Sequence, residues 1–66
     1  MKNSIKVERA KLNLTQQELS EAIGVSRQTI NSIELGKYVP STVLALKLSA
    51  YFDTKVNLLF ELEEGD

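Results

Sequence analysis

Apolar residues recur along this chain at helical spacing, and each run ends on a residue that stops a helix. In the first run, from about Ser4 to Leu12, Ile5, Arg9 and Leu12 share one face at i, i+4 and i+7, with Val7 and Ala10 beside them. Asn13 follows, and asparagine tolerates the left-handed backbone that closes a helix. The second run opens on Thr15-Gln16-Gln17-Glu18, the T-x-x-E form of a capping box. There the threonine oxygen accepts from the Glu18 amide while the glutamate reaches back. This predicts a helix from Gln16 to Ile23 with Leu19, Ala22 and Ile23 inward. Gly24 ends it where positive φ is wanted, Val25 plugs inward, and Ser26 caps a third helix from Arg27 to about Glu34. Ile30 and Ile33 face in on that helix, and Gly36 is its stop signal.

Lys37 to Pro40 reads as a connecting loop, and Ser41 as the fourth N-cap. Eight of the twelve residues from Ser41 to Phe52 are apolar, with Leu44, Leu48 and Phe52 at i, i+4 and i+8. A helix apolar nearly all round is expected to be central and buried. One more turn is expected from Asn57 to Phe60. The period then changes, because Phe60, Glu61, Leu62 and Glu63 alternate in the manner of a short strand. Its one plausible pairing partner is the segment from Lys2 to Ile5. The pattern therefore predicts a single all-α domain over residues 1–66 with about five helices, and a short two-stranded β-ribbon from the termini.

Composition narrows what such a domain can do. The 66 residues include neither cysteine nor histidine. Disulfides, thiolate chemistry and Ser-His or Cys-His nucleophile pairs are thereby excluded, and no transition-metal ligand spacing is present. No catalytic residue, metal site, cofactor or small-molecule ligand is expected. A chain of this size buries only about 60% of its unfolded surface. Stability must therefore come from dense helix packing, from dimerisation, or from both. The start of the chain lacks the apolar core of a signal peptide, and no run is long enough to span a bilayer. The expected setting is cytoplasmic, with no membrane partner.

Charge looks at first like evidence against nucleic acid, since the formal net charge is −1. Its distribution says otherwise. Residues 1–48 hold seven Lys/Arg and four Glu, whereas residues 49–66 hold one Lys and five Asp/Glu. A basic face and an acidic end can coexist on such a chain. The acidic end (Glu61, Glu63, Glu64, Asp66) is expected to face away from any bound polyanion.

Two short helices joined by Gly24-Val25-Ser26 have helix-turn-helix spacing, over about residues 16–35. The steep crossing needs apolar contacts at Leu19, Ile23, Ile30 and Ile33 and a small Ser20 where the backbones approach, and any αα-hairpin would also want the inward Leu and Ile. An ordinary hairpin does not explain the outer face of the second helix. That face carries Arg27, Gln28, Thr29, Asn31 and Ser32, where surface helices usually carry Glu and Lys in i, i+4 pairs. Arginine pairs bidentately with guanine, Gln or Asn with adenine, and a Thr methyl can meet the thymine methyl.

The run Leu14-Thr15-Gln16, Leu19-Ser20, Gly24-Val25-Ser26-Arg27-Gln28-Thr29-Ile30, Ile33-Glu34-Leu35-Gly36-Lys37, Pro40-Ser41 and Leu59-Phe60 resembles the Cro/cI-like (XRE) family of helix-turn-helix repressors. The resemblance covers about residues 5–60. It implies a five-helix, lambda-repressor-like DNA-binding domain with the third helix in the major groove of double-stranded DNA. By that resemblance Gln16 grips a phosphate, Arg27, Gln28 and Asn31 touch bases or adjacent phosphates, and Ser26 and Thr29 meet phosphates or base methyls. Lys37 meets the backbone after the recognition helix, and Tyr38 either adds a hydroxyl contact or packs on the loop. Arg9 and Glu34 match an internal ion pair of the family.

Two positions depart from the family pattern. Glu8 stands where an aliphatic residue is usual, which implies that the first helix is either rotated or packed through Val7 and Leu12 instead. Leu58 stands where a polar residue is common. With Phe60 and Leu62 it points to an apolar dimer contact. The expected function is a sequence-specific transcriptional regulator, acting as a repressor on a pseudo-palindromic operator as a homodimer. The competing reading is an antitoxin or other protein-interaction module on the same fold.

Overall fold

A computed structural model describes all 66 residues. A strand β1 (Lys2–Asn3) leads into helices α1 (Ile5–Lys11), α2 (Gln16–Ile23), α3 (Arg27–Glu34), α4 (Thr42–Phe52) and α5 (Val56–Leu59), and a strand β2 (Phe60–Glu61) closes the chain. Local chemistry sets most of these boundaries. Thr15 Oγ1 accepts from the Glu18 amide at 3.0 Å while Glu18 Oε1 accepts from the Thr15 amide at 3.0 Å, so the capping box forms in both directions. Ser26 caps α3 through the Thr29 amide at 3.1 Å, and Ser41 caps α4 through the Leu44 amide at 3.2 Å. Left-handed residues end these helices: Asn13 at φ 55°, Gly24 at φ 89° and Asp53 at φ 49°. The sequence pattern missed Asp53, whose short polar side chain suits αL much as asparagine does.

The strands pair antiparallel, with Lys2 opposite Glu61 and Asn3 opposite Phe60. The ribbon is shorter than the alternation to Glu63 implies. Beyond Glu61 the chain turns back, with the Glu63 amide donating to Asp66 Oδ2 at 2.7 Å. The Met1 ammonium meets Glu63 at 3.0 Å and Asp66 at 3.3 Å. Asn3 joins this ribbon to the helices. Its Nδ2 donates to the Ile33 carbonyl at 2.7 Å, and its Oδ1 accepts from the Ile5 amide at 3.2 Å. One side chain thus caps the start of α1 and holds the end of α3.

Ten apolar residues form the core: Ile5, Leu19, Ile23, Ile30, Ile33, Leu44, Leu48, Phe52, Leu59 and Phe60. Three expectations fail against it. α4 is not buried all round, because Val43 and Leu46 remain 65% and 55% exposed. A chain this short has no second layer to cover the far side of its central helix. α1 does not pack through Val7 and Leu12, which are 56% and 55% exposed. It enters the core through Ile5, and Glu8 docks it sideways by accepting from Thr54 Oγ1 at 3.3 Å, while Lys11 of the same helix donates to Glu8 at 2.9 Å. Ala22, expected inward, is exposed.

α1 is tied to α3 by charge. Arg9 Nε donates to Glu34 Oε2 at 2.6 Å and Nη2 to Oε1 at 3.0 Å, while Nη1 donates to the Leu14 carbonyl at 2.8 Å. The two side chains are only 14% and 6% exposed. Hydrogen bonding to Glu34 raises the arginine pKa above its ordinary value, so the guanidinium stays charged. No helix is long and apolar enough to cross a membrane.

Removing one partner strands a shielded charge. Glu34→Gln is expected to cost roughly 3 kcal/mol, a large share of the few kcal/mol available to so small a domain. Urea denaturation followed by circular dichroism reads this directly, and a midpoint unchanged from wild type would remove the pair from the stabilising contacts.

Candidate nucleic-acid interface

The connection between α2 and α3 is built on Ser20 and Gly24. The Gly24 and Val25 amides both donate to the Ser20 carbonyl, at 2.8 and 3.0 Å, which folds the chain sharply after α2. Ser20 is 1% exposed, and its hydroxyl is satisfied by the Gln17 carbonyl at 2.8 Å. A larger side chain there would push the helices apart, and an unpaired polar one would be left buried without a partner. Leu19, Ile23, Ile30 and Ile33 then lock α2 against α3 from the core side. The outward face of α3 is what remains.

On that face Arg27, Gln28 and Asn31 are exposed, while Thr29 and Ser32 are half-buried. Neither Arg27 nor Gln28 has a hydrogen-bond or ion-pair partner within the protein, leaving both heads free for an outside ligand. Ser26 and Thr29 are less free. Their hydroxyls lie 2.9 Å apart, and Ser26 also caps the helix. Ser26, Gln28, Thr29, Ser32 and Tyr38 line a shallow polar cleft of about 260 Å³.

Lys37 is positioned by the turn after α3. Its amide donates to the Ser32 carbonyl at 3.0 Å, and the Tyr38 amide to the same oxygen at 3.3 Å. Gly36 makes this possible at φ 74°, with Met1 O only 3.6 Å from where a Cβ would sit. The lysine is exposed and unpaired at one end of the α3 face. The Met1 ammonium holds the acidic tail, and Glu63 borders a cleft with Leu35 and Gly36. The tail therefore lies at the opposite end of α3 from Arg27 and Gln28, and the Arg9 pairing offsets the charge of Glu34.

Gln16 lies against α3. Its Nε2 donates to Asn31 Oδ1 at 3.1 Å and to Glu34 Oε1 at 3.2 Å. The expected site residues Gln16, Ser26, Arg27, Gln28, Thr29 and Asn31 therefore form one continuous surface, with Lys37 beyond it. Nothing in this arrangement offers acid–base, nucleophilic or metal chemistry, and no group of three or more Asp or Glu side chains stands close enough to hold a metal ion.

The three apolar residues expected at a dimer contact separate. Phe60 is 8% exposed and belongs to the protomer's own core, because pairing with Asn3 turns it inward. Leu58 and Leu62 are 67% and 77% exposed. The larger apolar surface lies elsewhere. A groove of about 300 Å³ runs between α4 and α5, with Val39, Pro40, Ala45, Leu46 and Val56 among its walls. The sequence did carry a signal for it: apolar residues on every side of α4, in a chain too short to cover them.

The helix-turn-helix family matches residues 5–59 of this chain. An uncharacterized HTH-type transcriptional regulator of Methanocaldococcus jannaschii is 48% identical over 66 residues, covering all of both chains. The uncharacterized HTH-type transcriptional regulator YgzD of Bacillus subtilis is 48% identical over 64 residues, 97% of each chain. Among solved structures, the SOS-response transcriptional repressor LexA from Eubacterium rectale superposes with a TM-score of 0.80 at 31% identity. That match covers 94% of this chain and 66% of the LexA chain. These relatives are named as transcriptional regulators, and the same helix-turn-helix lies at the centre of the structure described above. The chain belongs to the XRE-like helix-turn-helix family of DNA-binding transcriptional regulators.

Proposed function

We propose that residues 1–66 act as one DNA-binding unit, a cytoplasmic, sequence-specific repressor that occupies a pseudo-palindromic operator as a homodimer. The observation that carries this reading is the outer face of α3. Arg27 and Gln28 stand exposed and unpartnered in the first turn of a helix clamped from behind by the core and by Arg9 and Glu34. In helix-turn-helix docking the first turn of the second helix meets base edges. Arg27, Gln28 and Asn31 are assigned to the bases. Ser26, Thr29 and Lys37 are assigned to flanking phosphates and methyls.

Dimerisation follows from the surface that one protomer leaves uncovered. Val43, Leu46, Leu58 and Leu62 are all more than half exposed, and Leu46 also lines the apolar α4–α5 groove. A two-fold pairing there would set two recognition helices ~34 Å apart, one turn of the duplex. Repression is the simplest outcome of occupying a promoter, and the solved relative is itself named a transcriptional repressor.

Selection of bound sequences from random duplex DNA tests the reading at once, since a regulator of this kind enriches two inverted half-sites. Arg27→Ala should weaken binding to the enriched site by about 1–3 kcal/mol and relax one base position, with the melting temperature unchanged. Affinity should fall steeply as salt rises, and Lys37→Ala should lower the slope of log affinity against log salt by about one. A flat salt dependence would instead favour the protein-binding alternative, for which the net charge of −1 is the best support. Leu46→Glu should leave the fold intact and convert the sedimenting species from dimer to monomer. An unchanged dimer in that variant would move the interface away from α4.

A further inference from the structure

We propose that Asn3, in the terminal ribbon, is a positioning residue for DNA binding: it holds the turn after α3 so that Lys37 meets the DNA backbone. The inference rests on the reading of Lys37 as a phosphate contact, and it begins from two backbone groups. The Ile5 amide can only donate, and the Ile33 carbonyl can only accept. Asn3 meets the first with Oδ1 at 3.2 Å and the second with Nδ2 at 2.7 Å, so a single orientation of its amide satisfies both. The Ile33 carbonyl lies in the last turn of α3, where carbonyls have no intrahelical partner. It also accepts from the Gly36 amide at 2.9 Å. Its two lone pairs are thus filled from two sides, one by the ribbon and one by the turn.

Lys37 follows directly on that turn. The chain reverses at Gly36, and the Lys37 amide donates to the carbonyl of Ser32, the neighbour of Ile33, at 3.0 Å. The main-chain oxygen of Met1 stands 3.6 Å from where a Gly36 Cβ would sit, so the start of the ribbon backs the same turn. The ribbon is itself seated on the core, because Asn3 pairs with the buried Phe60. The backbone that launches Lys37 is therefore referenced to the core through Asn3. Arg27 and Gln28 stand at the other end of α3, where Ser26 caps the helix, and Arg9 and Glu34 clamp α3 without help from Asn3. Releasing the Ile33 carbonyl from the ribbon frees the turn and leaves the base-reading end in place.

Asn3→Ser separates the two bonds. A serine hydroxyl can still accept from the amide two residues on, but it lacks the NH2 group that reaches Ile33. The Ile33 carbonyl keeps its Gly36 partner, so no buried group is left unpaired. Salt titrations of binding to the selected operator, with wild type, Asn3→Ser, Lys37→Ala and the double variant, read the effect. Asn3→Ser should lower the slope of log affinity against log salt by about one, as Lys37→Ala does. The enriched sequence should stay the same, and Lys37→Ala should lower the slope no further in the Asn3→Ser background. A domain that is merely destabilised would lose active protein and keep its slope. An unchanged slope in Asn3→Ser, a loss that adds to that of Lys37→Ala, or an altered base preference would each overturn the proposal. No operator binding by wild type, or no change of slope in Lys37→Ala alone, would remove the reading of Lys37 itself, and this inference with it. The free wild-type protein gives a separate readout: the side-chain amide protons of Asn3 should exchange with solvent more slowly than those of Asn57, which is exposed. Equal exchange would overturn the link to Ile33 irrespective of any DNA.

Discussion

The shielded ion pair between Arg9 and Glu34 is the contact on which the rest of the arrangement turns. Without cysteine or a metal, this chain has no covalent or coordinate staple for its first helix. α1 places only Ile5 in the core, so apolar packing alone holds it weakly. The bidentate guanidinium supplies the second anchor and adds a third bond to the Leu14 carbonyl, fixing the approach to α2. A pair this well enclosed is costly to desolvate, and its value lies in geometry as much as in net stability. It sets the end of α3, the helix whose opposite end carries the reading residues.

Charge illustrates how a whole-chain number can mislead. The net −1 conceals groups that are neutralised internally and groups that remain free. Glu34 is paired with Arg9, Glu8 with Lys11, and Glu63 and Asp66 with the terminal ammonium. Arg27 and Lys37, the cations on the α3 face, have no such partners. What a polyanion meets is the local remainder.

Much of this was legible in the sequence because the signals are local. The capping box at Thr15, the serines at 26 and 41 and the left-handed positions at Asn13 and Gly24 each act within a few residues, and α2 and α3 carry the bounds that those signals imply. The ribbon was also readable, from a change of period at Phe60. What the sequence could not supply was the result of competition between elements. Whether Leu46 or Leu48 would be covered depends on how many helices remain to cover them. Glu8 looked like a defect in a packing face, yet its partner Thr54 lies 46 positions away. The link from Gln16 to Asn31 crosses 15 positions and depends on the orientation of two amides, which no spacing rule encodes.

The terminal ribbon has one more consequence. The Met1 ammonium meets the Asp66 side chain at 3.3 Å, so residues 1 and 66 lie side by side, with Met1 near Gly36 and away from Arg27. A short peptide joining them would close the backbone into a ring with little distortion of the helices. Cyclisation restricts the unfolded chain much as a cross-link does, and for a mini-protein it serves the same purpose as a disulfide. A sequence with no cysteine thus has a route to covalent reinforcement built into its topology.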